Sequence, residues 1–151
     1  MNALREEEPG VRNRWASGPL LNSRIMKRNM ELNEINKWPN SWEGIREDVE
    51  YGHKIVKLMK PFIKQLLDSS YSPKTTKEHI DNLWLLGGHI IKHINFYEED
   101  RNKDSLLLLT RFIDSFDGPT ISDLSEYEQI SFDRTCRKFY KYLVQNELNK
   151  V

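Results

Sequence analysis

From residue 42 to residue 144 apolar residues recur at the helical interval, and no segment alternates as a strand does between turns. Trp42, Ile45, Val49, Val56, Met59, Ile63 and Leu66 follow steps of three, four and seven, which places them on one helix face. Ile80, Leu83, Trp84, Gly87, Ile91 and Ile94 do the same in a second stretch. Phe132, Cys136, Phe139, Tyr140, Leu143 and Val144 form the cleanest stripe, in a third. These patterns predict an all-α bundle of four to six helices around one core. No internal repeat at a fixed period accompanies them.

Local signals divide the stretches. Asn40 or Ser41 is expected to cap the first helix, with Glu43 in capping-box spacing from Asn40. Pro61 lacks a backbone donor and clashes with the preceding turn, so one bent helix or two successive ones are expected. Gly52 weakens the front half. Thr75 and Glu78 have capping-box spacing for the second helix, and Pro73 cannot continue the previous one. Asp104 is expected to cap "SLLLLTRFIDSF", whose four leucines suggest burial on most sides. "DGPTISD" is a turn, and Ser125 with Glu128 opens the last helix or an extension of it. Residues 1–37 mix charges with Pro9, Gly10, Gly18 and Pro19 and show little apolar period. They are expected to be a flexible or loosely docked tail, partly basic through Arg12, Arg14, Arg24, Lys27 and Arg28, with the helical domain over 38–151. Met26 or Met30 is an alternative translation start.

Composition narrows the setting. The chain has 151 residues, 38% hydrophobic and 30% charged, with equal numbers of basic and acidic side chains. Any electrostatic function must therefore come from local segregation of charge. The single cysteine, Cys136, permits no intramolecular disulfide, so a cytoplasmic location is the natural expectation. No apolar run approaches the roughly 20 residues that span a bilayer. The N-terminus mixes acids and bases where a signal peptide carries an apolar stretch.

Chemistry-bearing motifs are scarce. His89 and His93 lie one helical turn apart, a spacing that can chelate zinc. The glutamate of a zinc-protease helix is missing, however, because Ile90 follows His89, and no third ligand has a telling spacing. A structural helix edge is the expected identity of the pair, with a metal-binding protein a distant third reading. Cys136 lies on an apolar stripe and reads as a small buried hydrophobe. No serine has a nucleophile-elbow context, and "LLGGHI" has no phosphate-loop spacing. No catalytic residue, cofactor or resident metal is expected.

Charge segregation is the stronger signal. Lys54, Lys57, Lys60, Lys64, Lys74 and Lys77 stand against only Asp68 between residues 54 and 77. Lys57, Lys60 and Lys64 share one helix edge, and Lys74 and Lys77 mark the opening turn of the next helix. A lysine row beside a helix N-terminus suits a phosphate backbone, so Lys57, Lys60, Lys64, Lys74 and Lys77 are the candidate nucleic-acid-binding residues. A second basic row, Arg134, Arg137, Lys138 and Lys141, lies opposite the apolar stripe of the last helix. By contrast, 114–128 holds Asp114, Asp117, Asp123, Glu126 and Glu128 with no base. The alternative function is therefore a protein-interaction or regulatory subunit, antitoxin-like or self-associating, that uses complementary charged surfaces.

"PFIKQLLDSSYSPKTTKEHIDNLWLLGGHI" resembles the helical core-binding module of tyrosine recombinases and phage-type integrases. Phe62, Leu66 and Leu67 match the end of that module's first helix, Ser72 and Thr75 its Ser-x-x-Thr turn, and Ile80, Leu83 and Leu86 the core of its second helix. The resemblance implies a DNA grip through Lys64, Lys74 and Lys77. Only about 60 residues follow, without a His-x-x-Arg motif, so no recombination chemistry is expected. "DNLWLLGG" and "ISFDRTCRKFYKYL" also resemble small bacterial proteins of mobile-element neighbourhoods, which implies a bacterial source.

Overall fold

Three long amphipathic helices carry the core. The structure, a computed structural model, describes residues 19–148, with side chains from Met26 onward. The first 18 residues of the expected tail lie outside the described residues. Among those described there are six α-helices, one 3-10 turn and no strand, so the fold is all-α.

Helix α1 (Pro19–Ile35) spans most of the second half of the expected tail. The chain divides between Glu34 and Ile35, and everything below concerns the unit that begins at Ile35, a residue only 2% exposed. That unit contains the short α2 (Trp38–Ser41), then α3 (Glu47–Leu67), α4 (Pro73–Phe96), a 3-10 turn (Glu98–Asn102), α5 (Ser105–Leu109) and α6 (Glu126–Asn146). Helices α3, α4 and α6 pack on one another, while α2 and α5 both pack on α3. Their facing stripes meet in a core that includes Ile55, Met59 and Ile63 of α3, Leu83, Leu86 and Ile91 of α4, and Phe132, Phe139 and Leu143 of α6. Phe62 stacks on Phe139 with ring centroids 5.2 Å apart, which joins the end of α3 to α6.

Pro61 neither breaks nor divides α3, which continues to Leu67. An interior proline costs about 3 kcal/mol. The buried Met59, Phe62, Ile63 and Leu66 flank it, and each contributes roughly 1.5–3 kcal/mol by leaving water. Burial therefore wins over the lost hydrogen bond.

Several expected caps are placed differently. Asn40 and Glu43 do not open the long helix. Asp48, in the first turn of α3, instead accepts the amides of Gly44 (2.7 Å) and Ile45 (2.9 Å) just ahead of it. At α4 the cap is Ser72, whose Oγ accepts the Thr75 amide at 3.1 Å, and Pro73 is the first helical residue. Proline suits that position because its missing N–H has no helical partner there. Asp104 caps α5 through the Leu106 and Leu107 amides, and Ser125 with Glu128 forms a complete capping box on α6. The four leucines are less buried than expected, for Leu108 and Leu109 enter the core while Leu107 is exposed.

The glycines of α3 and α4 accommodate one tryptophan. A Cβ on Gly87 would overlap the Trp42 indole, and one on Gly52 would stand 2.9 Å from Pro39 Cβ and 3.3 Å from Trp42 Cε3. Gly52 thus lets α2 approach α3 closely rather than merely weakening α3. Trp42 Nε1 donates to the Trp84 carbonyl at 3.1 Å, and Trp84 Nε1 donates to Ser41 Oγ at 2.9 Å. Trp84 itself is 40% exposed, so its ring is not part of the core.

Candidate nucleic-acid interface

The short turn 68–72 brings the C-terminus of α3 and the N-terminus of α4 to the same end of the bundle. Lys57 and Lys64 of α3 and Lys74 of α4 are exposed there or on the adjoining face. The other two candidates are engaged locally. Lys60 donates to Asn36 Oδ1 at 2.8 Å and is half-buried. Lys77 pairs with Asp81 at 2.7 Å one turn along α4, in an exposed ion pair that solvent screens. That pairing also raises the Lys77 pKa.

The second basic row divides. Arg137 donates to the Phe116 carbonyl at 2.8 Å and so ties the loop after α5 to α6. Lys138 and Lys141 instead line a groove of about 470 Å³ that Phe62, Gln65, Ser69, Ser70, Tyr71 and Tyr142 also border. The ammonium of Lys138 lies over the Tyr71 ring, 5.3 Å from its centroid. Tyr142 leans on Phe62, with centroids 5.5 Å apart. The lysine candidates of 54–77 did not include this groove. The signal for it was the mixing of tyrosine with lysine in "YSPK" and "KFYKY".

Behind the groove α4 meets α6 through a buried polar cluster. His79 Nδ1 lies 2.7 Å from Thr135 Oγ1, and Asn82 Nδ2 donates to Thr135 Oγ1 (2.9 Å) and Ser131 Oγ (3.1 Å). Burial, followed by the charges of Lys138 and Arg134, pushes the His79 pKa down, and Glu78 opposes them. The imidazole also packs at 5.5 Å against Tyr71, so the wall of the groove rests on it.

His89 and His93 face a different environment. Both imidazoles stand nearly perpendicular to the Phe112 ring, with centroids 5.5 and 5.0 Å from it, and His93 stacks on Tyr97 at 4.8 Å. His93 Nε2 donates to Asp100 Oδ2 at 2.7 Å, and Lys103 (2.9 Å) and Arg111 (3.3 Å) pair with the other oxygen. The bonds from His93 and Lys103, with Arg111 behind them, hold the Asp100 carboxyl well below its usual range against the opposing effect of burial. Burial, His93 and Lys92 lower the His89 pKa. Among the described residues no three histidine, cysteine, aspartate or glutamate side chains group as metal ligands do.

A second buried carboxylate, Asp48, accepts Arg101 Nη1 at 2.8 Å and Asn95 Nδ2 at 3.0 Å besides its two amides. Burial pushes its pKa up, but the hydrogen bonds from Ile45, Arg101, Asn95 and Gly44 outweigh it and lower the value. Acids of the 114–128 segment are also used within the fold. Asp114 Oδ1 accepts the Phe116 and Asp117 amides, and Glu128 accepts the Ser125 amide. No described helix is long and apolar enough to cross a membrane. No family model, curated protein or solved structure matches the chain.

Proposed function

We propose that this is a small, non-catalytic helical binding protein of the bacterial cytoplasm that contacts the phosphate backbone of DNA through the basic surface around the α3–α4 turn. The observation that carries the reading is the exposure of Lys57, Lys64 and Lys74 on the two helices that this turn joins. Lys64 and Lys74 lie on either side of it in the chain. Such ammonium groups release counterions on meeting phosphates, which favours binding without requiring base recognition. The helix–turn–helix order over 62–86, with Ser72 capping α4, is in keeping with the recombinase-type DNA grip that the sequence resembles. Lys57, Lys64 and Lys74 carry the contact, because Lys60 and Lys77 already have partners within the fold.

The experiment is fluorescence anisotropy on a labelled DNA duplex with the full chain and with the K57E/K64E/K74E variant, whose folding is checked by circular dichroism. Loss of binding in a folded variant supports the reading, and unchanged affinity refutes it. The second reading, a partner protein that meets the acidic 114–128 segment, is favoured by the exposure of Phe116 and Tyr127 within it and of Ile130 just beyond it. Co-purification of one neighbouring gene product, lost on F116A/Y127A/I130A substitution, is the outcome expected of it.

A further inference from the structure

A duplex keeps its base faces stacked and shows only base edges in its grooves, so a backbone contact meets phosphates and sugars, for which lysines alone are enough. The groove beside the α3–α4 turn has more than lysines. Its walls are aromatic as well as cationic, with Tyr71 38% exposed and Tyr142 at the other side, resting on Phe62. It is an open groove of about 470 Å³, which leaves a bound group partly in solvent. Gln65 and Gln145 add amides that both donate and accept. A basic groove with tyrosine rings beside its lysines is the arrangement that takes unpaired bases, whose faces stack on aromatic side chains.

We infer that this groove holds a single-stranded segment of nucleic acid, with a phosphate between Lys138 and Lys141 and a neighbouring base against the tyrosines. The inference rests on the nucleic-acid reading above and sharpens it from a backbone contact to a strand-separated ligand. Lys138 has a double role: its ammonium faces Tyr71 at 5.3 Å, so it positions that ring while remaining available to an anion at the groove. The segment Lys138–Tyr142 supplies both chemistries within one helical turn.

The test compares anisotropy of a labelled 15-nucleotide oligothymidine, a labelled hairpin duplex and labelled adenosine monophosphate on the full chain. The inference expects the single strand to bind about tenfold more tightly than the duplex. It expects K138Q/K141Q to weaken the single strand about tenfold and the duplex little. Y71L is expected to weaken the single strand alone, and Y71F to restore it, which a merely structural tyrosine does not require. Equal binding of strand and duplex, with loss only in K57E/K64E/K74E, overturns the inference and leaves the backbone reading standing. Mononucleotide binding as tight as the oligomer overturns it in favour of a small-molecule pocket. Binding to none of the three probes overturns both.

Discussion

The Trp42 indole occupies the space that a side chain at Gly87 would fill. A Cβ there would overlap the six-membered part of the ring, whereas one on Gly88 would stand 3.2 Å from Cδ1 and 3.4 Å from Nε1. The two adjacent glycines are therefore not equivalent. Alanine ordinarily stabilises a helix interior by about 0.5–1 kcal/mol over glycine. At Gly87 the overlap exceeds that gain, and Gly87→Leu is expected to cost at least about 3 kcal/mol, the upper end of overpacking effects. Gly88→Ala is expected to change stability by less than about 1 kcal/mol, because a small shift of the ring accommodates it. The check is a thermodynamic cycle: in a Trp42→Ala background Gly87→Ala should turn from destabilising to stabilising. A Gly87→Leu protein with unchanged melting temperature contradicts the packing assignment.

His79 makes stability depend on pH. Its pKa is lowered in the folded state by burial and by Lys138 and Arg134, so the unfolded chain binds the proton first as pH falls. Stability is then expected to be at its full value above about pH 6.5, the unperturbed histidine pKa, and to decline as pH drops from there towards the folded value. Urea melts from pH 8 to pH 5 on the wild type and His79→Gln check this. The variant is expected to lose stability at pH 8, through the altered bond to Thr135, and to show a flatter slope below about pH 6.5.

Cys136 is 1% exposed, and burial, with Asp133 and Asp117 nearby, pushes its thiol pKa up. The protonated, enclosed sulfur is a poor nucleophile. Labelling by a thiol-reactive aromatic disulfide at pH 8 is expected to be undetectable in the native protein and complete in denaturant. Its rate across intermediate urea concentrations should follow global unfolding. Fast native labelling contradicts the burial of this stripe.

The legible parts of the fold were those whose cause is local. The stripes over 80–94 and 132–144, the Asp104 cap and the Ser125–Glu128 box each need only neighbours within a turn or two, and the structure places them as expected, although Trp84 and Tyr140 prove less buried than their stripes suggest. What depends on distant partners was not legible. Gly87 lies on the apolar stripe of its helix, but the ring that fills its missing side chain comes from Trp42, 45 positions earlier. Asp48 looks like a routine first-turn acid until Asn95 and Arg101 are brought to it. His89 and His93 have a spacing that can chelate zinc, whereas the histidine in contact with the candidate site's wall is His79, which no spacing distinguishes. For the same reason the lysine row could be listed from sequence but not sorted. Only the fold shows that Lys60 and Lys77 are engaged and that Lys138 and Lys141 share a groove with the α3–α4 turn.

The central claim is that exposed lysines around that turn meet phosphates, and salt dependence tests it most directly. Each lysine that neutralises a phosphate adds close to one unit to the slope of log affinity against log salt. Binding to a fixed DNA measured across sodium chloride concentrations is expected to show a steep negative slope in the wild type. Replacing Lys57, Lys64 and Lys74 one at a time by glutamine should reduce that slope by about one per substitution. A slope unchanged in all three variants, or an affinity indifferent to salt, contradicts the account.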